Sequence, residues 1–187
     1  MKSLPKITIA SYTNANKIIS HGFDSLISLG TSDLFAYQDF AGPKLRLTFN
    51  DVDLPTDQYI VPSVEDILNI IDFVPNIKEN CLIHCQAGKS RSSAAAYIVF
   101  CKLLGPHLEA EAIDLILGSA TEDIFPNGRM VYIADALLDR EERMWNEHVK
   151  YFGRIVNHNR NLDLIKSETR KYLIECYPDA LIKFKGN

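Results

Sequence analysis

The stretch from Cys81 to Cys101 constrains the fold of this chain more than any other. It begins with a short apolar run, Cys81-Leu82-Ile83, typical of a buried strand, and ends with a longer apolar run, 94–101, typical of a buried helix. Between them lies a polar segment, His84-Cys85-Gln86-Ala87-Gly88-Lys89-Ser90-Arg91-Ser92. A polar loop that joins a buried strand to a buried helix predicts a layered α/β fold.

The turn in this segment is suited to bind an anion. Successive backbone N–H groups of residues 86–90 would point into one concavity, at the positive end of the following helix dipole. Gly88 permits backbone angles that residues with a Cβ resist. Arg91 stays charged and can bind two phosphate oxygens at once. The segment therefore predicts a phosphate-binding loop.

Cys85 is the candidate nucleophile of this loop. A helix N-terminus and cationic neighbours favour the thiolate form of a cysteine. Ser92 could donate a hydrogen bond to the Cys85 sulfur and ease its departure from a phosphocysteine intermediate. We expect His84, as a buried histidine, to order the loop from behind rather than to transfer a proton.

Other phosphate and metal chemistries fit the sequence less well. Gly88-Lys89-Ser90 matches the end of an ATP-binding Walker A loop, but that loop needs a glycine where this chain has Ile83. The remaining histidines show no metal-ligand spacing, so we expect neither a metal nor a cofactor.

The polar segment resembles the signature of cysteine-dependent protein tyrosine and dual-specificity phosphatases, His-Cys-x-x-Gly-x-x-Arg-Ser/Thr, at every defined position. From Leu45 to Arg143 the chain most resembles small bacterial tyrosine-phosphatase-like proteins, whose pattern is Arg-Leu-x-Phe-Asn-Asp, His-Cys-x-Ala-Gly-x-Ser-Arg-Ser, Pro-Asn and Ala-Asp-x-Leu. The resemblance implies a phosphatase fold and cleavage of phosphomonoesters.

Two aspartates are candidates for the general acid. The alternating segment 44–49 predicts a strand that leads into a polar loop with Asp51 and Asp53. Either carboxyl could protonate a leaving group, and either could be an ordinary solvated loop residue. The phosphatases that the chain resembles often carry their acid as the second residue of this loop, so the resemblance favours Asp51.

Pro126-Asn127 precedes an apolar-periodic segment that predicts the start of a helix. The same resemblance implies that the Asn127 side chain braces the phosphate loop. A simple turn or helix N-cap is the alternative.

Further apolar runs indicate strands at Lys6–Ala10 and Ser25–Gly30, with helices near 13–20 and 64–74. This alternation predicts an α/β fold with a central, mostly parallel sheet of about four to five strands flanked by helices, as in dual-specificity phosphatases. Cys85 would then lie at the carboxyl end of a strand, where such sheets bind ligands.

Length and charge suggest how the chain is divided. We expect a phosphatase domain over 1–144 and a helical C-terminal extension over 145–187 that packs on the same domain. The extension has eight Lys/Arg and five Asp/Glu, a net charge of +3 in a chain of net charge −4. This modest asymmetry favours a solvated helix face over nucleic-acid binding.

The predicted setting is the cytoplasm. No apolar run approaches the ~20 residues that span a membrane, and the chain start lacks the pattern of a secretory signal. The four cysteines show no disulfide or zinc pattern, and a thiolate nucleophile needs reducing surroundings.

These observations predict a cysteine-dependent protein tyrosine or dual-specificity phosphatase that acts on a phosphorylated protein or another phosphomonoester. Lys89 within the loop keeps a phosphoinositide or inositol-phosphate phosphatase as an alternative. A non-catalytic phosphate-binding module is a second alternative, and a cysteine-loop sulfurtransferase a third.

Overall fold

The computed structural model describes residues 3–31, 37, 39–156 and 161–178. Four strands form one sheet: β1 (Lys6–Ser11), β2 (Ser25–Gly30), β3 (Lys44–Thr48) and β4 (Asn80–Cys85). Seven helices surround it: α1 (Tyr12–Ile18), α2 (Val64–Phe73), α3 (Arg91–Leu104), α4 (Glu109–Ser119), α5 (Gly128–Leu137), α6 (Arg143–Val156) and α7 (Leu162–Cys176).

The strands are parallel and lie in the order β1-β4-β2-β3. The predicted α/β class, with a parallel sheet flanked by helices, is therefore confirmed. β4 lies between β1 and β2. The connection from β1 to β2 therefore passes the position that β4, later in the chain, fills. In parallel sheets such a reversal opens a crevice at the carboxyl ends of the strands, and β4 ends there with Cys85.

Alternate residues of the central strands point to opposite faces, as the strand period requires. One face carries Ile9, Ile27 and Ile83, which belong to the main core with α2, α3 and α5. The other face carries Leu26 and Leu82, which pack with residues of α1. Because both faces are covered, β2 is buried along its whole length.

The two C-terminal helices pack on α5. Phe152 of α6 and Ile165 and Leu173 of α7 are buried within the main core. Across the part of the chain that the structure describes, no helix combines the length and the apolar character needed to cross a membrane.

Candidate active site

We call the loop between β4 and α3, residues 86–90, the phosphate loop, and it lies against the end of β1. Gly88 has a φ of +72°, and a Cβ built on it would lie 2.4 Å from the backbone N of Ser11. The backbone N–H of Tyr12 donates to the carbonyl of Gln86 at 3.1 Å. Glycine is therefore required at position 88 by backbone angle and by space.

Cys85 and Ser92 face each other across this loop. The Cys85 Sγ lies 3.2 Å from the Ser92 Oγ, and both side chains are buried. Cys85 is the last residue of β4, and Ser92 lies in the first turn of α3. The serine hydroxyl is thus placed to stabilise negative charge on the sulfur.

Arg91 is buried and held from one side. Its Nη1 donates to the carbonyl of Phe49 at 2.7 Å, which anchors the guanidinium to the segment after β3. Its Nε is buried and forms no hydrogen bond with any residue that the structure describes. A guanidinium fixed by one N–H in this way keeps other donors for an oxyanion.

Asp51 is joined to the phosphate loop. Its Oδ1 accepts hydrogen bonds from the Ser90 Oγ at 2.7 Å and from the Asn127 Nδ2 at 3.2 Å. The surrounding loop is closed by Asn50, whose backbone N–H donates to the carbonyl of Ile60 at 2.8 Å and whose Oδ1 accepts from the Ile60 N–H at 3.0 Å. The Asp51 carboxyl is therefore held beside the loop that carries Cys85.

Asp53 contacts a different part of the molecule. Its buried Oδ1 accepts hydrogen bonds from the backbone N–H groups of Gly128 at 2.8 Å and Arg129 at 3.3 Å. These are the first two N–H groups of α5, which have no partner within their own helix. Asp53 thus fastens the loop that carries Asp51 to the start of α5.

Asn127 links three elements. Its Oδ1 accepts from the Met130 N–H at 3.0 Å and caps α5, while its Nδ2 donates to Asp51. Its backbone N–H donates to the Ser90 carbonyl at 3.2 Å. The backbone of Asn127 therefore contacts the phosphate loop, whereas its side chain contacts Asp51 and the start of α5.

His84 is fully buried behind the loop. Burial lowers its pKa to about 4, a hydrogen bond with the Cys85 backbone opposes this shift, and the Arg91 charge adds to it. The Tyr37 ring packs edge-on against the imidazole, with centroids 5.1 Å apart. His84 is therefore neutral near pH 7 and sits among aromatic rings.

The other loop residues differ in exposure. Gln86 and Ala87 are exposed, Lys89 is half-buried and Ser90 is buried. The Ser93 Oγ donates to the carbonyls of Lys89 and Ser90, which secures the end of the loop on α3.

Two contacts of this site are not predicted by the sequence pattern. The partner of Arg91 is a backbone carbonyl, and every residue carries one, so no residue type marks it. The contact between Ser90 and Asp51 joins positions 39 apart, and no local spacing indicates it.

No protein-family model and no curated protein sequence matches the chain. Solved structures do share its fold. The structure of Tk-PTP in the active form is 16% identical with a TM-score of 0.50, and the match covers 75% of this chain and 95% of that one. The structure of DUSP15 is 19% identical with a TM-score of 0.53, and the match covers 87% and 97%. The chain therefore has the fold of the protein tyrosine and dual-specificity phosphatases.

Proposed function

We propose that this chain is a cysteine-dependent protein phosphatase that hydrolyses phosphomonoesters through a phosphocysteine intermediate. One observation carries the proposal. The Cys85 sulfur lies 3.2 Å from the Ser92 hydroxyl, on a loop that also holds the buried Arg91 and contacts Asp51. A nucleophile, a guanidinium that can bind phosphate oxygens and a proton donor thus lie close together at one end of the sheet.

In the first step the Cys85 thiolate attacks phosphorus opposite the leaving oxygen. The S–P bond forms as the P–O bond breaks. Loop amides and the Arg91 guanidinium stabilise the equatorial oxygens. The protonated Asp51 carboxyl donates its proton to the leaving oxygen, which departs as an alcohol or phenol.

In the second step water attacks phosphorus and the S–P bond breaks. Asp51, now ionised, accepts a proton from this water, so one carboxyl serves both steps. The Ser92 hydroxyl donates a hydrogen bond to the departing thiolate. Inorganic phosphate leaves, and the thiolate is restored.

The first test is phosphate release from p-nitrophenyl phosphate without added metal. Cys85→Ser should lower kcat at least ~1,000-fold while the folded variant still binds inorganic phosphate, because the anion ligands remain. Cys176→Ser, an exposed cysteine on α7, is the matched control and should retain full activity.

Vanadate, which forms a trigonal bipyramid like the transition state, should inhibit the unmodified protein. A folded protein that binds phosphate, yet releases none from this ester or from phosphopeptides, would contradict the proposal and support a non-catalytic phosphate-binding module.

A further inference from the structure

A cavity of about 540 Å³ lies beside the phosphate loop, between the end of α4 and α6. Lys89 of the phosphate loop lines it. The Phe125 N–H, in the wall of the cavity, donates to the Lys89 carbonyl at 3.1 Å, so the cavity borders the phosphate loop directly. We call this cavity the α4–α6 groove. Its apolar lining consists of Leu117, Ala120, Ile124, Phe125, Tyr151 and Phe152.

The floor and the rim of the α4–α6 groove differ in exposure. Ile124 and Phe152 are buried and form its floor. Leu117 is 48% exposed and Tyr151 is 37% exposed, so the rim presents two large, partly solvent-exposed apolar side chains. A volume within the usual range of ligand pockets, about 300–1,000 Å³, and an apolar rim are suited to hold side chains of a partner.

The charge of the α4–α6 groove favours a cation. Among the residues that the structure describes, Glu122 and Asp123 line it together with one cation, Lys89. The Glu122 carboxylate is fixed by a hydrogen bond from the Asn14 Nδ2 at 3.1 Å. Lys150, whose ammonium lies over the Tyr151 ring, is paired with Glu147 and adds little net charge. Such a lining attracts basic side chains and repels a polyanion.

The α4–α6 groove lies within reach of a substrate bound at Cys85. Lys89 follows Cys85 by four residues, so their Cα atoms are at most about 15 Å apart. An extended peptide covers that distance in about four to five residues. Residues that flank a bound phosphorylated side chain can therefore enter the groove.

We propose that the α4–α6 groove binds the residues beside the phosphorylated residue of a protein substrate and selects basic and apolar side chains there. This inference rests on the proposed phosphatase activity. It assigns Asp123 and Leu117 as specificity-determining residues outside the catalytic machinery.

The test compares phosphotyrosine peptides that differ only in about five residues on each side of the phosphorylated position, which is the length that spans to the groove. One peptide carries Arg and Leu on both sides, and the other carries Glu and Ser. We expect kcat/KM to be at least tenfold higher for the Arg/Leu peptide. Asp123→Lys should reduce this preference to less than threefold, and Leu117→Asp should lower kcat/KM for the Arg/Leu peptide at least fivefold.

Two matched controls lie outside the α4–α6 groove. Asp72→Lys places the same charge change on the exposed side of α2, and Ile174→Asp replaces an exposed apolar residue of α7. Both should leave the peptide preference unchanged. All four variants should hydrolyse p-nitrophenyl phosphate within twofold of the unmodified protein, because that ester has no flanking residues.

The outcomes separate this inference from the proposed function. If the unmodified protein releases phosphate neither from p-nitrophenyl phosphate nor from either peptide, both the proposed function and this inference fail. Turnover of that ester with equal kcat/KM for the two peptides would overturn the inference alone. Faster hydrolysis of a phosphoinositide in phosphatidylcholine vesicles, raised further by Asp123→Lys, would overturn the assignment to a protein substrate.

Discussion

Asp51 and Asp53 stand two residues apart on one loop, but their carboxylates contact different parts of the molecule. Asp51 accepts from Ser90 of the phosphate loop, whereas Asp53 accepts from two backbone N–H groups of α5. A carboxylate beside the loop of the proposed nucleophile suits proton transfer, and a buried one at a helix start suits anchoring.

We therefore expect Asp51→Asn to lower kcat on a phosphotyrosine peptide by about 10²–10⁴-fold, because the amide has no proton to give. Asp53→Asn should stay within about fivefold of the unmodified kcat, since its amide oxygen still accepts from α5. Asp53→Ala should lower the free energy of unfolding by about 1–2 kcal/mol. Measurements of kcat as a function of pH test the two Asn variants, and urea unfolding tests Asp53→Ala.

The reverse pattern, in which Asp53→Asn loses the rate and Asp51→Asn retains it, would show that Asp53 is the acid.

At the scale of elements, the connection from α5 to α6 depends on one buried carboxylate. Asp135 accepts from the backbone N–H groups of Glu142 at 2.7 Å and Trp145 at 3.0 Å. The connection contains three residues with positive φ, namely Asp139, Glu141 and Glu142. Burial raises the pKa of Asp135 to about 6, although these hydrogen bonds oppose the rise.

Asp135 binds its proton more tightly in the folded than in the unfolded chain. This protonation therefore adds to the free energy of unfolding at low pH, and that stabilisation is lost as the pH rises from about 4 to about 6. In Asp135→Asn this loss is absent. The free energy of unfolding of the variant minus that of the unmodified protein should therefore rise by up to about 3 kcal/mol between pH 4 and pH 7. Urea unfolding at both pH values measures it, and a pH-independent difference would refute the assignment.

At the scale of the whole molecule, Arg129 joins distant elements. This buried residue of α5 donates from Nε to the Pro62 carbonyl at 2.8 Å, and its guanidinium lies 4.4 Å from the ring centroid of Tyr172 on α7. The Tyr172 hydroxyl accepts from the Val64 N–H at 3.1 Å. α7 therefore covers a buried charge and contacts the start of α2.

We expect Tyr172→Ala to lower the free energy of unfolding by at least about 2 kcal/mol, because it removes an apolar ring and a hydrogen bond and uncovers Arg129. Leu164→Ala, at an exposed position of the same helix, should cost less than about 0.5 kcal/mol. Trp145 fluorescence and far-UV circular dichroism should report one shared transition. Separate transitions would show that α7 unfolds independently of the core.

The local parts of this molecule could be predicted from the sequence. The strands, the loop after Cys85, the helix after Arg91 and the helix start at Asn127 lie close to their predicted positions. Each depends on periodicity or on residues within a few positions of one another, and such patterns are visible along the chain.

The sequence by itself thus determined the α/β architecture and brought Cys85, Arg91 and Ser92 together, because one short loop carries all three. Only the tertiary structure decided which aspartate meets the phosphate loop, that Phe49 holds Arg91, and that α4 and α6 form a groove beside Lys89. These contacts join residues far apart in the chain. Their geometry depends on how strands and helices pack, and residue spacing does not encode that packing.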